Sequence, residues 1–240
     1  MSWHTIAGSD APLRCWQERA PQARSVVLVL PEVFGINGWM RSVAARLATA
    51  GHAALVMPLF ARTAPALDLG YDDEGLAEGR RHRDAVTAEG FQRDVAAVMT
   101  WLSQQPELAP LPRAGLGFCF GGHLAWHLAS RVELQATASF YGARVSCFCP
   151  GSDQPTLALA AQIPGKFLVW QGGEDPLMPA QEQQAIAAAL TQADPSGLRL
   201  QCRTAAGAGH GFLCDQRADF RPAAAQQGWQ SLLELLNGVS

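Results

Sequence analysis

Apolar residues along this chain follow two alternating patterns. Short, nearly continuous apolar runs occupy residues 25–30, 53–57, 114–118, 136–141, 166–171 and 198–204, the signature of strands covered on both faces. Between them, apolar positions recur at helical spacing over 39–50, 91–103, 120–130, 179–192 and 223–237. Gly51 stops the first of these helices, and Pro58 ends the strand that follows it. Residues 59–74 read as a loop leading into a helical stretch that carries Arg80, Arg81 and Arg83. Strands alternating with helices predict an α/β fold, a mostly parallel sheet flanked by helices on both faces. No repeat or linker interrupts the alternation, so residues 1–240 are expected to form one domain.

Composition narrows the class of partner more than the class of chemistry. The chain has 240 residues, 48% apolar and 16% charged, enough to bury a substantial core and to exclude disorder as its main state. A net charge of -3 leaves no electrostatic footprint for nucleic acid or an anionic membrane. No apolar run approaches the ~18 residues of a membrane span, and no basic-then-apolar leader opens the chain. The expectation is a cytoplasmic protein, a monomer or small homo-oligomer, acting on a small molecule. Cysteines at 15, 119, 147, 149, 202 and 214 are read as mostly reduced thiols rather than a disulfide framework. Their spacing forms no pair of Cys-x-x-Cys knuckles, and neither a metal nor a cofactor is expected.

One cysteine stands apart. Gly117-Phe-Cys119-Phe-Gly121 lies at a strand-to-helix junction and matches the G-x-S-x-G nucleophile elbow with cysteine in place of serine. A nucleophile held in a strained turn needs neighbours without side chains two positions before and after it. A helix N-terminus also favours a thiolate. Further along, Gly172-Gly-Glu-Asp175 follows one strand and Gly209-His210-Gly-Phe212 follows the next. Cys119, Asp175, His210 is the chain order of nucleophile, acid and base in α/β-hydrolases. His210 would move the thiol proton and Asp175 would fix its tautomer, with Glu174 competing for the acid role.

Other segments make the resemblance specific. Leu28-Val-Leu-Pro-Glu32-Val-Phe-Gly35, Leu59-Phe-Ala-Arg62, Phe140-Tyr141-Gly142 and the three segments above are together similar to the dienelactone hydrolase family, from about residue 25 onward. That resemblance implies a single α/β-hydrolase domain without a cap. It implies a Cys-His-Asp triad at Cys119, His210 and Asp175 that opens an enol lactone to an oxo acid such as maleylacetate. It also implies that Glu32 touches the resting thiol and helps form the thiolate once substrate arrives. Two adjacent anions would repel, so Glu32 would act as a switch. The oxyanion hole would be the backbone N–H groups of Val33 and Phe120.

Substrate recognition departs from the family pattern. The family holds a substrate carboxylate with arginines, one on the helix after the second strand and one soon after the catalytic histidine. Here the first would be Arg81, or Arg80 beside it. The position four after His210 holds Cys214, and Arg217 is the nearest arginine. Tyr141 is a further candidate at the substrate. Two other readings remain: a broader carboxylic ester or thioester hydrolase with the same triad, and a binding protein that uses Cys119 as a redox-sensitive thiol.

Overall fold

The apolar runs form the centre of an eight-stranded sheet in a computed structural model that describes residues 1–8, 10–131 and 134–239. The strands are β1 (Ser2–Ile6), β2 (Leu13–Arg19), β3 (Val26–Leu30), β4 (Ala53–Val56), β5 (Arg113–Phe118), β6 (Ala136–Phe140), β7 (Lys166–Gly172) and β8 (Leu200–Ala205). Their spatial order is β1-β2-β4-β3-β5-β6-β7-β8, with β1 and β2 antiparallel to their neighbours and β3 to β8 parallel. The helices are α1 (Gly38–Thr49), α2 (Asp73–Arg83), α3 (Ala88–Ser103), α4 (Phe120–Arg131), α5 (Ala180–Ala193) and α6 (Pro222–Asn237), with a 3₁₀ turn at Thr156–Gln162.

Side-chain alternation along β3 divides the core. Val27 and Val29 face Trp39, Val43 and Leu47 of α1 and Leu232 and Leu236 of α6. Val26, Leu28 and Leu30 face Phe91, Val95 and Val98 of α3 and Leu124 and Leu128 of α4. Burial on both faces explains why β3 is a continuous apolar run instead of an alternating one.

The first 24 residues carried no prediction, and they form β1 and β2. This hairpin lies at the sheet's edge, and much of it stays partly exposed with polar residues such as Arg14, Gln17 and Glu18. A short edge strand of that kind lacks the apolar signal that marks the central ones. The 3₁₀ turn also went unforeseen, and α2 begins at Asp73 with Asp72 as its N-cap, slightly inside the expected loop.

Between β5 and α4 the chain turns on one residue. Cys119 has φ of 54°, a left-handed conformation that is rare and costly for a residue with a side chain. Close backbone packing holds it there. A Cβ on Gly117 would lie 2.0 Å from the Gly121 carbonyl oxygen, and one on Gly121 would lie 2.2 Å from the Leu30 carbonyl oxygen. The Gly121 N–H donates to Pro31 O at 3.1 Å, so the first turn of α4 is fastened to the end of β3.

Gly117→Ala is therefore expected to lower stability by about 3 kcal/mol, the upper end for overpacking, since a backbone oxygen cannot step aside. Urea unfolding at fixed pH measures it. A loss below about 0.5 kcal/mol, typical of a neutral surface change, would mean that the approach is not tight.

Candidate active site

Because β3, β5, β7 and β8 run parallel, the loops leaving their carboxyl ends open on one side of the sheet, where α/β proteins build their sites. Glu32 follows β3, Cys119 follows β5, Asp175 follows β7 and His210 follows β8. The three residues of the elbow-acid-base order meet. His210 Nε2 is 3.1 Å from Cys119 Sγ, and His210 Nδ1 is 2.7 Å from Asp175 Oδ2. The other Asp175 oxygen accepts the Leu177 N–H at 2.8 Å, so both carboxylate oxygens are engaged. Glu174, the competing acid, is exposed.

Burial alone would strip the charge from His210. The adjacent Cys119 sulfur, as an anion, and the Asp175 carboxylate outweigh it and push the imidazole up to about 10. The imidazolium is thus the favoured form next to an anionic sulfur, which is the pairing a thiol nucleophile requires.

A cleft of about 60 Å³ opens over the sulfur, lined by Val33, Arg83, Cys119, Phe120, Arg144 and Leu177 among others. Among the described residues, no backbone carbonyl accepts the Val33 or the Phe120 N–H. A larger cavity of about 300 Å³ lies between the β1–β2 hairpin and the loop after β4, but neither Cys119 nor His210 reaches it. Chemistry therefore singles out the smaller cleft.

Glu32 and Arg217 come together, though not as the resemblance implied. Glu32 is fully buried and its Oε1 accepts from Arg217 Nη1 at 3.0 Å, while Cys119 Sγ is held by His210. The guanidinium also lies over the rings of Phe34 and Tyr71, at 5.8 and 5.9 Å. Burial works against its charge, and the Glu32 carboxylate restores it. Tyr141 has no exposed surface. It packs edge-on against the His210 ring at 5.3 Å with φ of 41°, and so supports that ring from beneath instead of lining the cleft.

The α2 arginines also need correction. Arg80 and Arg81 are exposed, and Arg81 is paired with Glu78 one turn back. Arg83 is the residue of that cluster that reaches the cleft. The decisive signal is Gly79, where a Cβ would sit 2.2 Å from Val33 O: the helix presses this face onto the loop after β3. Arg83 is four residues on and shares that face, whereas Arg81 is turned away. Arg144, also missed, lies in the loop after β6 and nothing in the local sequence distinguishes it from a surface arginine. All six cysteines are free thiols: Cys147 is exposed, Cys119 is half-buried, and burial pushes Cys15, Cys202 and Cys214 up to about 12, 11 and 12.

The sequence model of the dienelactone hydrolase family matches residues 15–240. The chain belongs to that family. It is 34% identical to a Synechocystis sp. protein provisionally named carboxymethylenebutenolidase, across 88% of this chain and 84% of the relative. It is 27% identical to the carboxymethylenebutenolidase of Pseudomonas putida, again across 88% and 84%. Its α/β-hydrolase fold is shared with a Klebsiella pneumoniae protein provisionally named dienelactone hydrolase, at TM-score 0.85 and 23% identity over 99% and 98% of the two chains. The chain is a lactone or ester hydrolase of small molecules, and no helix among its described residues is long and apolar enough to cross a membrane.

The raised His210 value fixes the sign of a pH effect in this hydrolase. Its contribution to stability is fully present below pH 6.5, the ordinary value, and is lost as pH rises towards about 10. The stability gap between the wild type and His210→Gln should therefore shrink between pH 6 and pH 10. Chemical denaturation at both values measures it, and a gap that widens would contradict this assignment.

Proposed function

We propose that the protein is a cofactor-free cysteine hydrolase opening an enol lactone that carries a carboxylate, working as a single α/β-hydrolase domain in the cytoplasm. One observation carries the reading: Cys119 Sγ, His210 and Asp175 form an unbroken hydrogen-bonded chain at the floor of an open cleft. The sulfur attacks the lactone carbonyl carbon, and the carbonyl oxygen takes the negative charge against the Val33 and Phe120 N–H groups. As the ring C–O bond breaks, His210 gives its proton to the departing enol oxygen. Water, deprotonated by His210, then attacks the acyl-sulfur bond, releases Cys119 and leaves the product acid, whose enol becomes the oxo group of a compound such as maleylacetate.

Asp175 holds the imidazole in the orientation that points Nε2 at the sulfur. Arg83 supplies the guanidinium for the substrate carboxylate from α2, taking the role that the resemblance gave to Arg81. Glu32 reaches the sulfur only when Arg217 turns to a substrate anion, because the two are paired at rest. The half-exposed Leu177 at the cleft and Cys214 in the family's arginine position favour a second reading, a broader ester or thioester hydrolase with the same triad. A dienelactone assayed beside neutral esters separates the two.

Cys119→Ala is expected to abolish dienelactone turnover, and Asp175→Asn to lower kcat by roughly 10⁴, as loss of the correct tautomer does in related triads. Steady-state assays with circular dichroism as a folding check provide the measurement. An ester probe should label Cys119 in the wild type and fail in His210→Ala. Equal labelling of both would favour a simple reactive thiol over a hydrolase.

A further inference from the structure

Arg144 is an unusual arginine for the edge of a cleft. It has φ of 65°, a conformation a side-chain-bearing residue keeps only when its surroundings impose it. Among the described residues its guanidinium has no carboxylate partner, and its one charged-group contact is the Phe148 ring at 4.8 Å. It lines the same cleft as Arg83, whose partner is the exposed Asp84. Arg144 thus brings to the cleft a guanidinium without a carboxylate partner among the described residues, and an anionic group would supply one.

The surroundings that impose this conformation start from the nucleophile's own helix. His123 Nδ1 lies 2.9 Å from the carbonyl oxygen of Ala143, the residue before Arg144, and a carbonyl can only accept. The proton is therefore on Nδ1, and Nε2 must accept from the Thr156 hydroxyl at 2.7 Å. Having given its single proton, that hydroxyl accepts from His127 Nε2 at 2.9 Å. Donation thus runs one way, from His127 to Thr156 to His123 to the Ala143 carbonyl. Burial lowers both imidazoles to about 4, so the neutral forms that this direction demands are the ones present at neutral pH. The same loop is tied again where Leu157 N–H donates to Val145 O at 2.8 Å and Phe148 N–H donates to Arg144 O at 2.9 Å.

We infer that Arg144 is a specificity-determining residue that selects substrates bearing an anionic group, and that His123 is a positioning residue that holds it at the cleft. The inference rests on the cysteine-hydrolase reading and adds a second cation to the cleft that Arg83 lines, from the loop after β6. The cation–π contact with Phe148 favours this placement of the guanidinium, so less freedom is lost when its donors meet a carboxylate.

The test is a ratio, kcat/KM for an anionic ester or lactone over that for a matched neutral one. Arg144→Gln should lower the ratio about tenfold or more, the worth of one charge-assisted hydrogen bond, mostly through KM. Arg144→Lys should recover part of it. His123→Leu should lower the ratio in the wild type and have no further effect on it in Arg144→Gln, since it acts through Arg144. A wild type with no preference for the anionic substrate, or an Arg144→Gln variant that loses equally on both, would overturn the assignment of Arg144. Additive effects of the two substitutions would overturn the positioning role. Cys119→Ala measured alongside keeps the two questions apart: if it is inactive while the ratio is unmoved by Arg144→Gln, the mechanism stands and the specificity assignment fails.

Discussion

The site depends on one close contact between backbones. The first turn of α4 rests against the end of β3, with Gly121 almost on the Leu30 carbonyl and Gly117 almost on Gly121. No side chain fits in that space, so the turn between β5 and α4 is squeezed into a single residue, and that residue takes the left-handed conformation at Cys119. The same contact brings the loop after β3 beside the helix N-terminus. Val33, far from Cys119 in the chain, lines the cleft beside it and Phe120 for that reason.

Electrostatics around this contact are layered. The innermost layer is the chain from Asp175 through His210 to the sulfur, where a carboxylate and a developing thiolate keep a buried imidazole charged. Next comes the pair of fully buried Glu32 and half-buried Arg217, in which the carboxylate is tolerated because of the guanidinium. At the cleft edge lie Arg83, paired with the exposed Asp84, and Arg144. This layering of charge accords with the proposed thiol nucleophile and anionic substrate.

Most of the central sheet and the segments that meet around Cys119 were legible in the sequence, because both depend on patterns that local chemistry enforces. A strand buried on both faces must be continuously apolar, and an elbow packed against a neighbouring carbonyl must be glycine. The β1–β2 hairpin was not legible, since the edge strand β1 and its neighbour β2 carry partly exposed polar residues such as Arg14 and Glu18 and so resemble a loop. Arg83 was obscured by its neighbours: three arginines in four residues differ only in which way the helix turns them, and that is set by Gly79 meeting Val33, a contact between distant segments. Arg144 and Tyr141 illustrate the same limit, as one was silent in the sequence and the other was placed at the substrate but is sealed beneath His210.

The uneven burial of the six thiols has a consequence for how the protein ages in an oxidising setting. Oxidants and alkylating agents attack thiolates that they can reach, and burial keeps Cys15, Cys202 and Cys214 protonated at neutral pH while Cys149 is also enclosed. Damage is thereby directed to Cys119 and Cys147. A molecule exposed to peroxide would be modified at Cys119 and Cys147 while its interior thiols stayed intact, so oxidised protein would accumulate in a folded state instead of announcing itself by aggregation.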